Sequence, residues 1–367
     1  MEEFIMKLLI GADLVPTATS EEYFKNGDVD FLFTDVKDLI QNADRTVVNL
    51  ECALTTSENA IKKFGPNLKA SPKCAETLLK LGITDVALSN NHVFDFGIEG
   101  LKETLQTLEK AGLPYMGVGE NDVASRKIYY IEQEGKKIAF VNVCEHEYTY
   151  ATANRMGANP FDPFLTMQDV REAKKNAEFV VVLYHGGKEH CRYPSPRLIN
   201  LCREMVLCGA DVVLTQHSHC IGCYEKYEGG HILYGQGNFH FDYNNHTDLW
   251  NTSLLVELDI TDKVEISFYP LLLKGAQLSL AKGEKATEIL NGFHARNQEL
   301  KTGEWKKGWH EFCQSVKDVY EQAVKNIGGE DNEYNRQWFS HYLDCEAHTD
   351  VWRELFPTWN QTNGLDK

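Results

Sequence analysis

The sequence lacks any long apolar segment. Its 367 residues contain no apolar run near the roughly 18 to 20 residues that a helix needs to cross a bilayer, which argues against an integral membrane segment. The amino-terminal stretch MEEFIMKLLIGADLVP has a short apolar run, with two acids before it and Asp13 inside it, and is unlike a signal peptide. We therefore expect a cytoplasmic protein.

An excess of positive charge is also lacking. Lys and Arg number 37 against 54 Asp and Glu, so the net charge is −17 at pH 7. Nucleic-acid-binding proteins normally carry a basic face, so this balance argues against a nucleic-acid partner. An anionic substrate would need local cations, which bound metal ions could supply.

The ten cysteines lack the spacing of a disulfide framework or a zinc knuckle. Cys220 and Cys223 form one C-x-x-C without a second pair, so we interpret them as small, semi-buried residues. A Walker-type glycine-rich phosphate loop is missing too, which argues against ATP use.

What is present is an alternation of strands and helices. Apolar runs such as KLLIGAD, TVVNL, VVVLY and DVVLT predict buried strands, and IEGLKETLQTLEKAGLP predicts an amphipathic helix. This alternation indicates an α/β fold, with consecutive late strands forming a second sheet or a mixed edge. From about Gly275 charged helical patterns dominate. We expect a main domain over residues 1–274 and a helical extension over residues 275–367 packed on it.

Polar side chains stand at successive predicted strand ends. Each alone has an ordinary explanation as a turn, a cap or a hydrogen-bonded group, but ligands gather at the carboxyl ends of strands in α/β sheets. Together they predict a nitrogen- and oxygen-rich metal site without thiolate, suited to zinc, manganese or iron. The residues are Asp13, Asn49, Glu51, Asn90, Asn91, His92, His185, Glu189, His217 and His219.

The segment LTQHSHCIG carries two histidines one residue apart, after the apolar run GADVVL. Side chains alternate along a strand, so a strand ending in His-Ser-His would point both imidazoles to the same side. Two imidazoles at one strand end would make half of a metal site.

The order of the motifs resembles the CapA-type bacterial capsule synthesis family, the poly-gamma-glutamate or PGA_cap group, which is related to calcineurin-like metallophosphoesterases. The resemblance runs over residues 7–242 and rests on GADLVPT, NLECALT, SNNHVFDFGIEG, VVVLYHGGKEH, GADVVLTQHSHC and GQGNFHFD. It implies a four-layer α/β/β/α sandwich of two facing sheets flanked by helices. It also implies a site for one or two divalent ions (Mn, Zn or Fe).

The resemblance also implies a role for each matched residue. Glu51 would bridge two metals, His92 would be the general acid, and Asp95 would orient its imidazole. Asp13 and His219 would bind the first metal, and Asn91, His185 and His217 the second. Residues that would contact substrate or support the ligands are Asn49, Asn90, Glu189, His190 and Asn238.

Two positions depart from the broader phosphoesterases. Val15 stands where they have a histidine, and Glu51 where they have an aspartate. The first metal position is therefore short of one ligand. Weak binding, a water ligand, or recruitment of Glu189 or His190 would each accommodate this.

These patterns favour a metal-dependent hydrolase acting on an anionic small molecule or polymer, with a phosphoester ahead of a carbonyl substrate. The His92 and Asp95 pair favours an enzyme, because a purely structural site needs no acid beside it. The alternative is a non-catalytic capsule or polyglutamate assembly protein that keeps the metal-site fold, which Val15 favours. A third hypothesis, a ligase-related enzyme acting on glutamyl chains, is weakened by the missing phosphate loop.

Overall fold

The structure is a computed structural model that describes residues 5–17, 19–133, 135–145, 148–243, 247–329 and 332–357. Its strands are β1 (Met6–Val15), β2 (Arg45–Leu50), β3 (Ala53–Leu54), β4 (Lys69–Ala70), β5 (Asp85–Ala87), β6 (Tyr115–Met116), β7 (Val118–Gly119), β8 (Tyr129–Gln133), β9 (Lys136–Cys144), β10 (Gly157–Ala158), β11 (Phe179–His185), β12 (Val212–Gln216), β13 (Ile221–Tyr227), β14 (Gly230–Gln236), β15 (Asn238–Phe241), β16 (Thr252–Ile260), β17 (Val264–Lys274) and β18 (Gln277–Leu280). Its helices are α1 (Glu21–Asn26), α2 (Val29–Leu32), α3 (Val36–Gln41), α4 (Cys74–Leu81), α5 (Gly97–Ala111), α6 (Asp122–Ser125), α7 (Pro163–Asn176), α8 (Pro196–Leu207), α9 (Asp248–Asn251), α10 (Gly283–Thr302), α11 (Trp305–Ile327), α12 (Glu333–Asp344) and α13 (Glu346–Leu355).

Two large sheets organise these elements. An eight-stranded sheet has the order β18-β17-β16-β1-β2-β5-β6, with β15 also paired to β1, and a six-stranded sheet has the order β13-β14-β12-β11-β9-β8. Strands β1, β2, β5 and β6 are parallel, as are β9, β11, β12 and β14. The late strands β16, β17 and β18 form an antiparallel edge on the first sheet, so the expected mixed edge is confirmed.

Three apolar clusters separate four layers. Leu8 and Ile10 of β1 pack between the sheets against Phe140 of β9. Leu9 points to the opposite face of β1 and packs under helices α1 to α5, as the alternation of side chains along a strand requires. Val182 of β11 packs beneath α7, α8 and the late helices. The predicted α/β class and four-layer α/β/β/α sandwich are confirmed.

Helices α7 and α8 begin where the sequence supplies both an N-cap and a proline. Asp162 accepts hydrogen bonds from the backbone N–H groups of Phe164 and Leu165, and Ser195 accepts one from Leu198. A proline follows each cap at the first helical position, where a missing N–H costs no hydrogen bond. These signals fix the start of α8.

Helices α11, α12 and α13 pack on the outer face of the six-stranded sheet, through residues such as Trp309, Tyr342 and Val351. The C-terminal helical region is therefore as expected, although the first sheet continues through β18 to Leu280 before α10 begins at Gly283. The division into two domains at residue 274 stays a prediction. Among the described residues, no helix combines the length and apolar character needed to cross a bilayer.

Candidate metal centre

The candidate site lies where the carboxyl ends of parallel strands from both sheets meet. Glu51 directly follows β2, and His185 is the last residue of β11. Asp13 lies within β1 rather than at its end, beside register irregularities on both sides of the strand. Asn91 follows β5 in a loop, because that strand ends at Ala87 and is shorter than the sequence predicted.

Five buried residues form what we call the metal cluster: Asp13, Glu51, His185, His217 and His219. Three sets of possible ligand atoms overlap here, and the atoms of each set lie within 4.8 Å of one another. The sets are Glu51 with His185 and His217, Asp13 with Glu51 and His219, and Glu189 with His217 and His219.

Distances within the cluster suit a shared cation. His185 Nε2 lies 3.3 Å from Glu51 Oε1 and 2.7 Å from Asn91 Oδ1. His219 Nδ1 lies 3.4 Å from Asp13 Oδ2. An imidazole nitrogen facing both a carboxylate and an amide oxygen is a donor arrangement that zinc, manganese or iron can use.

The surroundings of Glu51 indicate whether this donor set fits an ion. Its side chain is fully buried, and neither carboxylate oxygen has a hydrogen-bond partner among the described residues. Burial raises the pKa of Glu51, but the charges of His219 and His185 outweigh burial and hold that pKa well below its usual range. The charge of this buried carboxylate is thus balanced by imidazoles rather than by hydrogen bonds, and a divalent cation would supply the same positive charge. The donor set therefore fits a divalent metal ion.

The two histidines after β12 reach the cluster by a route that the sequence did not predict. Strand β12 ends at Gln216, so strand alternation does not direct the imidazoles and that interpretation was wrong. Instead His217 and His219 adopt left-handed backbone conformations, with φ of 91° and 53°. Non-glycine residues with positive φ are uncommon and tend to occur at functional sites, where surrounding contacts hold the strained backbone.

Three asparagines support the cluster by hydrogen bonds. Asn49 Nδ2 donates to Asp13 Oδ1 over 2.8 Å, and Asn90 Nδ2 donates to Asn49 Oδ1 over 3.0 Å. Asn238 Oδ1 lies 2.8 Å from His219 Nδ1. Asn238 therefore helps to fix the orientation of the His219 ring beside Asp13.

His219 also lies against an aromatic side chain. Its ring centroid is 4.6 Å from that of Trp250, which is buried. Asn238 Nδ2 donates to the backbone oxygen of Trp250 over 3.1 Å, so one asparagine contacts both the His219 ring and the Trp250 backbone. His190 lies farther away, with its ring centroid 6.3 Å from that of His219.

Glu189 and His190 were the two residues considered as additional ligands at the first metal position. Glu189 belongs to one of the three ligand sets, and His190 belongs to none. Glu189 Oε1 lies 3.8 Å from His217 Nε2. Val15 is buried in the apolar cluster under the helices of the first sheet and offers no ligand.

Beside the metal cluster lies what we call the acid cluster: Lys63, His92 and Asp95. His92 Nδ1 lies 2.6 Å from Asp95 Oδ2. Lys63 Nζ forms an ion pair with Asp95 Oδ1 and lies 3.2 Å from His92 Nδ1. The backbone N–H of Leu68 donates to Asp95 over 2.6 Å. Asp95 is therefore fully paired by protein groups.

Sequence reasoning missed Lys63. The residue lies in an irregular loop without apolar periodicity or a motif, so no local signal distinguished it from a surface lysine. Its side chain is only 3% exposed. The next residue, Phe64, stacks on Trp338 of α12, with ring centroids 5.8 Å apart. Helix α12 thus anchors the loop that carries Lys63.

Comparisons with known proteins extend over the part of the chain that holds this site. The family model described as "Bacterial capsule synthesis protein PGA_cap" matches residues 7–243. The chain is 31% identical over 222 residues to "Capsule biosynthesis protein CapA" of Bacillus anthracis, covering 58% of this chain and 54% of the relative. It is 32% identical over 229 residues to "PGA biosynthesis protein CapA" of Bacillus subtilis, covering 60% of each. The matches thus span less than two thirds of either relative.

Solved structures resemble the chain more distantly. A hypothetical protein from Thermus thermophilus shows 17% identity and a TM-score of 0.47, covering 73% of this chain and 100% of that chain. A putative 5'-nucleotidase from Staphylococcus aureus shows 16% identity and a TM-score of 0.45, covering 79% of this chain and 58% of that chain.

Proposed function

The chain belongs to the bacterial capsule synthesis protein PGA_cap family, and on that premise we propose that it is a metal-dependent hydrolase of phosphoesters. The observation that carries the proposal is Glu51, a buried carboxylate surrounded by imidazoles and without a hydrogen-bond partner among the described residues. The substrate is an anionic small molecule or polymer. The ions are one or two of manganese, zinc or iron.

Glu51 would be shared between two metal positions, because it belongs to two of the three ligand sets. Glu189 would compensate for the histidine absent at Val15, since it forms a set with His217 and His219. Divalent ions held there would lower the pKa of bound water and neutralise charge on the phosphoryl oxygens. The other ligands would be Asp13 and His219 at the first position, and Asn91, His185 and His217 at the second.

The acid cluster would serve the leaving group. Asp95 would accept a hydrogen bond from His92 Nδ1, so the proton given to the leaving oxygen would come from Nε2. Lys63 neutralises Asp95 and brings a cation beside His92, which suits an anionic substrate in an acidic protein. Asn90 Oδ1 accepts the backbone N–H of His92 over 3.1 Å and so holds the loop that carries this acid.

A second candidate function is a non-catalytic assembly protein of capsule or polyglutamate synthesis that retains the metal-site fold. The observation in its favour is Val15, whose buried apolar side chain provides no metal ligand. An incomplete first position would leave one ion bound and two-metal chemistry impaired.

Metal content per chain together with turnover on a phosphoester panel tests the proposal. The proteins compared are wild type, His217→Ala and His92→Gln. We expect metal in wild type, less in His217→Ala, an unchanged amount in His92→Gln, and much lower turnover in both variants than in wild type. Bound metal without turnover on any phosphoester would favour the assembly protein. No metal after addition of manganese or zinc would overturn the metal centre itself.

A further inference from the structure

Glu145 is a buried carboxylate that directly follows β9 and is 1% exposed. It accepts hydrogen bonds from the backbone N–H of Gly187 over 2.5 Å and from the hydroxyl of Tyr184. Its own backbone N–H donates to the carbonyl oxygen of His185 over 3.0 Å. Glu145 therefore holds the chain on both sides of a candidate metal ligand.

The turn after His185 fits closely around this carboxylate. A Cβ at Gly186 would lie 2.3 Å from Cγ of Glu145, so a larger residue has no room there. Gly187 has φ of 94°, which favours glycine. The two glycines let the backbone lie against Glu145 and then turn toward Glu189. Contact with Glu145 thus sets the position of a segment that contains two possible metal ligands.

An arginine connects Glu145 to the C-terminal helices. Arg197, in the first turn of α8, donates from one terminal nitrogen to Glu145 Oε2 over 2.7 Å and from Nε to Asp350 Oδ2 over 2.8 Å. Ser195 Oγ donates to the same Asp350 oxygen over 2.6 Å. The fixed fork of a guanidinium can join two carboxylates in this way, which a single ammonium group cannot reproduce.

Asp350 lies on α13, well beyond residue 243, where the match to the family model ends. Its side chain is 4% exposed, and that of Arg197 is 22% exposed. The chain of ion pairs therefore runs from a helix outside the matched region to the end of a central strand. Breaking a buried pair leaves an uncompensated charge, so neither end can shift without cost.

We propose that Glu145 is a positioning residue of the metal centre, and that α13 fixes it through Asp350 and Arg197. The inference rests on the proposed metal centre, since it assigns to Glu145 the placement of His185 and Glu189. It gives the C-terminal helices a role in the site, although none of the residues in the three ligand sets comes from them.

Cobalt(II) titration of the full-length protein, followed by the visible absorption of the bound ion, tests the inference. Partners that orient metal ligands typically contribute about 10- to 100-fold to metal affinity, so we expect Glu145→Gln to weaken Co²⁺ binding by that factor. We also expect the absorption bands to shift, because they report ligand geometry. Asp350→Asn and Arg197→Lys should change both in the same direction by a smaller factor. If Glu145→Gln does not fold, these two variants decide.

Glu225→Gln is a matched control. Glu225 accepts two hydrogen bonds from Arg203, over 2.9 and 2.7 Å, and one from the hydroxyl of Tyr234 over 2.7 Å. It therefore has the same kinds of partner as Glu145, but none of these residues belongs to a ligand set. We expect this control to retain wild-type Co²⁺ affinity and spectrum while losing stability.

The outcomes separate this inference from the proposed function. Wild-type affinity and spectrum in Glu145→Gln, Asp350→Asn and Arg197→Lys would overturn the positioning role and leave the metal centre standing. An equal loss of affinity in Glu225→Gln would also overturn it, because the effect would then follow stability alone. A wild-type protein that binds no Co²⁺ would overturn both.

Discussion

The metal cluster and the acid cluster lie side by side, yet the protein satisfies only one of them. Asp95 receives a lysine, an imidazole and a backbone N–H, so its charge is compensated within the chain. Glu51 is equally buried, but its oxygens have no hydrogen-bond partner among the described residues. Two buried carboxylates in one site are thus stabilised differently. Asp95 is stabilised by hydrogen bonds and an ion pair, and Glu51 by imidazoles that could also bind an ion.

This difference indicates that the clusters should respond differently to metal. The acid cluster needs no ion to form, because its charged side chains pair with one another. The metal cluster adds left-handed histidines at 217 and 219, whose strained backbone must be offset by other contacts. Removing metal should therefore affect the stability of one cluster and leave the other unchanged.

The largest expected effect separates the clusters by function. We expect His92→Gln to lower turnover by about 10²- to 10⁴-fold, the usual contribution of a general acid. Bound metal should not change, because His92 belongs to none of the ligand sets. Steady-state kinetics with metal analysis of the same preparation measures both. Loss of metal in this variant would contradict the separation.

Removing the cation of the acid cluster should cost stability whether or not metal is present. Lys63→Met leaves Asp95 buried without its main counter-charge, and breaking a buried ion pair typically costs about 3 to 5 kcal/mol. Denaturant unfolding with and without a chelator measures the loss. As a control, Lys62→Met removes a neighbouring lysine whose pair with Glu333 is exposed and should cost less than about 1 kcal/mol. A loss of stability seen only in the metal-loaded form would contradict the independence of the two clusters.

Glu51→Gln should show the opposite pattern. A ligand at 100 times its Kd stabilises the folded state by about 2.7 kcal/mol, and this metal-dependent gain should disappear. With chelator present, the variant should lose less stability than it loses with metal, since only the attraction between the carboxylate and the imidazoles of His185 and His219 then disappears. If the variant kept the metal-dependent gain in stability, Glu51 would not be a metal ligand.

The smallest expected effect tests backbone strain in the metal cluster. His217→Gly and His217→Ala both remove the imidazole, but φ of 91° favours glycine over alanine. In chelator, we expect the glycine variant to be more stable by about 1 kcal/mol, the approximate cost of a left-handed residue with a Cβ. Equal unfolding midpoints, or a more stable alanine variant, would count against strain at this position.

Sequence patterns could predict the parts of the molecule that depend on local periodicity. The apolar runs of β1, β11 and β12 predicted the sheet class, and the polar residues at or near their carboxyl ends predicted where the candidate site lies. His92 and Asp95 are three residues apart, so a turn can join them. Lys63 and Glu145 could not be predicted, because each depends on contacts with residues distant in sequence. The left-handed conformations of His217 and His219 likewise follow from tertiary contacts rather than from residue type.

The contact between His219 and Trp250 places one indole where its fluorescence would respond to an ion at His219. Tryptophan emission depends on the groups nearest the indole, and an imidazole 4.6 Å away is one of them. The other tryptophans within the described ranges, Trp305, Trp309, Trp338 and Trp352, lie on the C-terminal helices. An ion bound by His219 would therefore change the fluorescence of Trp250 in particular. Intrinsic fluorescence would then report an ion at His219 without an added label.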